Sequence, residues 1–238
     1  MELDLNNKEW QDALQIINYT RRSLFLTGKA GTGKSTFLRY VSQNTKKKHV
    51  ILAPTGIAAI NAGGSTLHSF FRIPFHPLLP NDNQYSPRNI RKTLKYSSNH
   101  SKLLRELELI IIDEISMVRA DIIDFIDKVL RIYCRNMREP FGGKQLLLVG
   151  DIFQLEPVLK EDERRLLQPF YASIFTSSNI LCIPRVCLYT LDVEHFNCDA
   201  ISFAVYPLIK VNSNICFTEQ GGRFEIVCFI ISIIFVLF

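Results

Sequence analysis

The chain opens on MELDLNNKEW, which lacks the basic stretch followed by an apolar one that marks a secretory signal. A cytoplasmic location is the expectation that follows. Its six cysteines contain no CxxC pair, so the spacing of a zinc site is missing as well. No apolar run reaches the ~20 residues that a membrane-crossing helix needs. The candidate, IVCFIISIIFVLF at the end of the chain, is 13 residues long and suits a buried or aggregation-prone strand better, so no membrane partner is expected. Charge is scarce in one region. Of 28 basic residues only Arg185, Lys210 and Arg223 fall after residue 175, and of 23 acidic ones only Asp192, Glu194, Asp199, Glu219 and Glu225. That leaves 25 basic against 18 acidic upstream, a net +7. Five of the six cysteines (Cys182, Cys187, Cys198, Cys216 and Cys228) also crowd this tail, so the composition breaks near residue 176.

What is present is the composition of a soluble globular protein, 47% hydrophobic and 21% charged. A chain of 238 residues can bury one good core, or one and a half, which argues against two complete large domains. The net charge of +5 points to an anionic partner, with nucleic acid and nucleotide leading. Four continuous apolar runs, SLFLT (23 to 27), HVILAPT (49 to 55), LELIIID (107 to 113) and KQLLLVG (144 to 150), read as strands buried on both faces. Helical patterns alternate with them. ADIIDFIDKVLRIYCRN places Ile122, Ile126, Val129 and Tyr133 on one helical face, and KEWQDALQII does the same with Trp10, Leu14 and Ile17. The expected fold is α/β: a doubly wound parallel sheet with helices on both faces.

GKAGTGKS, residues 28 to 35, has the G-x-x-x-x-G-K-S spacing of a phosphate-binding loop. It follows the strand SLFLT and opens the helix STFLRY, the context that the motif requires. Glycines let the backbone turn its N–H groups toward phosphate oxygens, and the helix N-terminus adds a favourable dipole. Gly28, Ala30, Gly31, Thr32, Gly33, Lys34, Ser35 and Thr36 are therefore the candidate nucleotide-binding residues. Lys34 would neutralise the β- and γ-phosphates of ATP, and the Ser35 hydroxyl would bind Mg²⁺. LIIIDEIS, residues 109 to 116, ends an apolar run in two carboxylates. Asp113 is assigned to the Mg²⁺ shell and Glu114 to polarising the attacking water. An acidic pair at a strand end is often only a solvated turn, and it is the phosphate loop upstream that favours the catalytic assignment.

Between these motifs lies APTGIAAINAGGSTLHSFF, residues 53 to 71. Thr55, Gly56, Thr66 and His68 stand at its turns, where hydroxyls and helix N-termini suit a nucleic-acid backbone. A packed turn histidine is an equal alternative for His68. The next segment carries Arg72, Arg88, Arg91, Lys92, Lys95, Lys102 and Arg105 against Asp82 alone, with Phe75, Tyr85 and Tyr96 interspersed. Basic residues with aromatics suit single strands, where bases stack and phosphates pair, although a merely solvated basic loop has the same composition. Finally, VGDIFQLEPV sets Gln154 just beyond the fourth strand. Beside a γ-phosphate, an amide can hydrogen-bond both the phosphate and the attacking water, which makes Gln154 a candidate catalytic sensor.

Taken together, these motifs resemble the Pif-type DNA helicases of the RecD-like branch of superfamily one, most closely the bacterial members. FLTGKAGTGKST looks like motif I, LAPTGIAAINAGGSTLHSFF like motif Ia and the DNA-contact motif after it, IIIDEISMV like motif II, and GDIFQLEPV like motif III. Order and intervals agree as well as letters. The resemblance covers residues 1 to about 175 and implies the first of two RecA-like P-loop NTPase domains. It further implies ATP and Mg²⁺ as cofactors, single-stranded or forked duplex DNA as partner, 5′-to-3′ translocation, and work in DNA repair and telomere maintenance.

There are departures from the family pattern. Gln11 stands one position from the family's adenine-reading glutamine, with Trp10 in that slot, and Glu156 replaces a proline common in motif III. After RRLLQPFYASIF the family's arginine motif and second domain are expected, yet residues 176 to 238 match neither. The expectation from composition is a truncated or frameshifted tail, slow hydrolysis without an arginine to stabilise the transition state, and no processive unwinding by this chain alone. Two rivals stay open: an AAA-type P-loop ATPase acting on protein, against which the TGIAA and GGSTLH turns argue, and a non-catalytic nucleotide- or DNA-binding remnant.

Overall fold

A computed structural model describes residues 7–28, 30–151, 157 and 159–171, together with the strands 186–190, 217–220 and 223–226. The chain runs through α1 (Lys8–Tyr19), β1 (Ser23–Thr27), α2 (Lys34–Asn44), β2 (His49–Ala53), α3 (Gly56–Ala62), β3 (Ser65–Thr66) and α4 (Leu67–Phe71). It continues through α5 (Ile90–Leu94), α6 (Ser98–Glu106), β4 (Leu109–Ile112), α7 (Ala120–Tyr133), β5 (Gln145–Val149), α8 (Glu161–Leu167) and β6 (Val186–Thr190). A separate antiparallel pair, β7 (Phe217–Gln220) and β8 (Arg223–Ile226), follows.

Six strands form one sheet in the order β3-β2-β4-β5-β1-β6, and every pairing in it is parallel. The two-residue periodicity of a strand divides its side chains between two cores. Leu24 and Leu26 of β1, Leu109 and Ile111 of β4, and Leu147 and Val149 of β5 pack with α1 and α2 through Ala13, Ile17, Phe37 and Val41. The alternate residues Phe25, Ile110, Ile112, Leu146 and Leu148 face the other way, against Leu67, Phe71, Leu104, Ile126 and Val129 of α4, α6 and α7. Both faces are thus covered, which explains why the strands read as uninterrupted apolar runs. This is the doubly wound architecture expected from the sequence.

The four expected strands are present, β1 with the expected bounds and the other three shorter. β2 stops at Ala53, one residue before Pro54, which has no N–H for the ladder, and β4 stops at Ile112. Asp113 still donates its N–H to the Leu52 carbonyl at 2.9 Å, so the carboxylate turn starts from a fixed backbone. β6 pairs with β1 from Ser23↔Val186 to Thr27↔Thr190, so the sheet takes in a strand from beyond the composition break near residue 176. Most of the tail, including its apolar end, lies outside the described residues.

Candidate functional site

At the carboxyl edge of the sheet three neighbouring strands, β4, β5 and β1, deliver three turns side by side. The turn after β1 is the glycine-rich loop. Gly31 and Gly33 have φ of +84° and +92°, left-handed conformations that a side chain would strain. Gly33 is the N-cap of α2, and its carbonyl accepts the Phe37 N–H at 2.9 Å, so the helix begins at once. A glycine cap has no side chain with which to satisfy the first-turn N–H groups, and these point to where an anion would sit. Gly28 is buried at the end of the strand, while Ala30, Gly31 and Ser35 are exposed and Thr32, Lys34 and Thr36 are half-buried. The Lys34 ammonium donates to the Gly28 carbonyl, which holds the side chain back across its own loop.

The turn after β4 carries the carboxylates. Burial pushes the Asp113 carboxyl above its usual range, with the Glu114 charge adding to the rise, while the Glu114 N–H and nearby Lys34 act against it. That N–H donates to Asp113 Oδ1 at 3.0 Å. Glu114 itself has φ +52° and ψ +45°, a left-handed conformation costing about 1–2 kcal/mol for a residue with a side chain. The kink turns Glu114 away from the strand direction that Asp113 continues. Lys34 and Asp113 are thereby brought together from two strands. The donor set, hydroxyl and carboxylate oxygen, is the hard kind that Mg²⁺ takes, and a carboxyl disfavoured as an anion by burial gains most from a divalent cation.

Between these turns, β5 is followed by Gly150 and buried Asp151. The Gly150 N–H donates to the Leu26 carbonyl at 3.1 Å, tying β5 to β1. A methyl group on Gly150 would stand 2.9 Å from Ile115 Cγ2 and 3.1 Å from the Ile115 nitrogen, so only glycine lets the carboxylate turn come this close. Ser116, 4% exposed, has a buried hydroxyl with no hydrogen-bond partner in that turn. Gln154, read as the phosphate sensor, and Glu156 lie outside the described residues.

The expected DNA contacts form a second group on the same sheet edge. Pairing of Leu52 with Ser65 and Ala53 with Thr66 sets the turns after β2 and β3 side by side. Thr55 caps α3 by accepting the Ala58 N–H at 3.2 Å, and Thr66 caps α4 by accepting the Ser69 N–H at 3.2 Å. Both hydroxyls therefore have structural work already, while Thr55 and Gly56 remain exposed. His68 stacks on Phe75 with ring centres 5.1 Å apart and planes 6° from parallel. Burial, aided by the Arg119 charge and opposed by Asp121, holds this imidazole below its usual pKa and so favours its neutral form. His68 is thus packed, against a ring that is itself 88% exposed.

The basic segment needs correction. Tyr85 is buried edge-on against Phe125, and Tyr96 lies against the core with its hydroxyl bonded to the Phe71 carbonyl. Neither offers a face to a base. Arg72 donates to the carbonyls of Leu94 and Lys95 at 3.0 Å each, and Arg91 to that of Ile132 at 2.6 Å, with their guanidinium groups over Tyr96 and Tyr133. The reason is that α4, α5 and α6 are too short to close a core by themselves, so aromatic bodies and arginine forks complete it. Of the aromatics named, Phe75 alone is exposed. The sequence reading also missed Asp121, whose buried carboxylate grips Arg119 at 2.8 Å and accepts the Leu78 N–H at 3.0 Å. Its place in the first turn of α7 was visible; its reach to residue 78 was not.

A family model described as PIF1-like helicase matches residues 4–182. The ATP-dependent DNA helicase PIF7 of Trypanosoma brucei brucei is 40% identical over 151 residues, 63% of this chain and 15% of that protein. The ATP-dependent DNA helicase RRM3 of Saccharomyces cerevisiae is 34% identical over 190 residues, 76% of this chain and 24% of that protein. The crystal structure of Pif1 helicase from Bacteroides in complex with ADP-AlF3 and ssDNA matches with a TM-score of 0.70 and 45% identity, covering 80% of this chain and 42% of that one. The chain therefore spans no more than about a quarter of these curated relatives.

Proposed function

Because the chain belongs to the PIF1-like helicase family, we propose that it forms the first RecA-like domain of an ATP-driven DNA helicase. ATP binds at the turn between β1 and α2, on Gly28, Ala30, Gly31, Thr32, Gly33, Lys34, Ser35 and Thr36. Ser35 and Asp113 would hold Mg²⁺, which would supply charge neutralisation of the phosphates. Glu114 polarises the attacking water, and Gln154 reads the γ-phosphate. Single-stranded or forked DNA passes over Thr55, Gly56, Thr66 and His68. Unwinding belongs to a whole motor, in which two domains move against each other across the nucleotide, and these residues supply one of them. A cytoplasmic location is part of the same reading; among the described residues no helix is long and apolar enough to cross a membrane.

The observation that carries this reading is the pairing of a glycine-capped helix start with a half-buried carboxylate across one strand, with Lys34 between them. Calorimetric titration of the purified 238-residue chain with ATP and Mg²⁺, with and without oligo-dT, tests it. Saturable, Mg²⁺-dependent nucleotide binding and hydrolysis raised by the DNA are expected. Hydrolysis raised by unfolded protein and untouched by DNA would favour a protein-directed ATPase instead.

A further inference from the structure

The chain has a single tryptophan, and the fold places it under the phosphate-binding turn. Trp10 sits in the first turn of α1, where the Asn7 side chain caps the helix and accepts the Trp10 N–H at 3.3 Å. Its indole is only 8% exposed and meets Phe37 of α2 edge-on, with ring centres 5.5 Å apart. The far edge of the same indole reaches the loop. A methyl group added to Gly33 would lie 3.3 Å from Cζ2 and 3.5 Å from Cη2, so the glycine rests on the benzo ring with no room between.

Gly33 is the residue whose left-handed backbone ends the loop and starts α2. Such a conformation is adopted freely by glycine but is not enforced by it, because glycine has many other conformations open. Something must hold it. The carbonyl of Gly33 is fixed from one side by the Phe37 N–H, and its α-carbon is backed from the other by the indole. Trp10 and Phe37 thus brace the same residue, one through the helix ladder and one through packing.

We infer that Trp10 is a positioning residue for the nucleotide: α1 holds the phosphate-binding turn in its binding shape through the contact between the Trp10 indole and Gly33. This rests on the nucleotide reading above. Trp10 touches no reacting atom. It acts by sparing the loop a search for its binding geometry, and misplacement of a binding group by as little as an ångström is costly.

Two measurements on the full 238-residue chain test the inference. The first needs no substitution: ADP with Mg²⁺ is titrated while the emission of the sole tryptophan is followed, and binding is measured independently by calorimetry. The emission should shift with the calorimetric midpoint; calorimetric binding with unchanged emission overturns the inference and leaves the nucleotide reading standing. Absence of ADP binding by the parent chain overturns both. The second uses Trp10→Phe, which keeps an aromatic ring beside Phe37 but withdraws the benzo ring from Gly33. Its ADP affinity should fall between about tenfold and a hundredfold, while its oligo-dT affinity and circular dichroism stay as in the parent. ADP affinity equal to the parent's sinks the inference, as does an equal loss in both affinities, which marks a merely structural role.

Discussion

Helices α2 and α3 both begin at the carboxyl edge of the same sheet, and they begin in opposite ways. α2 starts on Gly33, a residue with no side chain and a left-handed backbone, and α3 starts on Thr55, whose hydroxyl accepts the Ala58 N–H. α4 repeats the second pattern with Thr66 and Ser69. A threonine cap spends its oxygen on the helix and stabilises the fold without a ligand. A glycine cap forgoes that gain and leaves the first-turn donors to whatever anion arrives. The same local problem, an unsatisfied helix N-terminus, is thus closed by a side chain at one place and left without one at its neighbour.

The largest expected effect falls on the glycine start. Lys34→Ala removes the cation beside the proposed phosphates and should lower ATP turnover about 10²–10³-fold, in the range seen when one electrostatic stabiliser is deleted. Affinity for oligo-dT should be retained. A parallel loss of DNA affinity in a binding titration would break the separation between the two kinds of turn.

Next in size is Phe75→Ala, on the threonine side. The exposed ring is braced by His68 and is the one aromatic of the basic segment free to meet a base. Stacking on an aromatic is worth about 1–3 kcal/mol per base, so single-strand affinity should drop by that amount with thermal stability unmoved. Fluorescence anisotropy of a labelled oligo-dT strand reads it; unchanged affinity removes Phe75 from the DNA path.

The third effect is smaller and lies on folding. Thr55→Ala and Thr66→Ala should each cost about 0.5–2 kcal/mol of stability through the lost cap, measured by denaturant unfolding, with the serine variants recovering most of it. If either alanine variant weakens DNA binding at full stability, its hydroxyl serves DNA first and the contrast with Gly33 is overdrawn.

These contrasts mark what was legible in the sequence. The buried strands, the glycine loop and the acidic pair each announce themselves within a few consecutive residues, because a parallel strand is apolar on both faces and a phosphate loop must follow one. The periodicity of α7 is equally local. What stayed hidden depends on distant partners. Tyr96 and Arg72 have the composition of a nucleic-acid loop, and only the packing of α4 to α6 shows them closing a core. β3 is two residues long and has no pattern of its own, its place fixed by pairing with β2. Trp10 reads as one more apolar residue on a helical face; that its indole backs Gly33 depends on how α1 lies against α2.

The smallest expected effect concerns Asp113, and its sign follows from burial. A carboxyl whose folded pKa is raised binds its proton more tightly in the folded chain than in the unfolded one. Its stabilising contribution is complete below the unfolded value and is lost as pH climbs through the raised folded value. Burial therefore disfavours the charged form, and the Glu114 N–H and Lys34 offset this only in part. Asp113→Asn cannot ionise, so its melting temperature should exceed the parent's at neutral pH, and the gap should close on acidification below the carboxylate range. Saturating nucleotide with Mg²⁺ should reverse the order, because a bound cation rewards the charge that burial penalises. A variant that melts below the parent at neutral pH without nucleotide would show that Asp113 is held mainly by its bond from the Glu114 N–H, and that the carboxylate turn, like the threonine starts, is built for folding before binding.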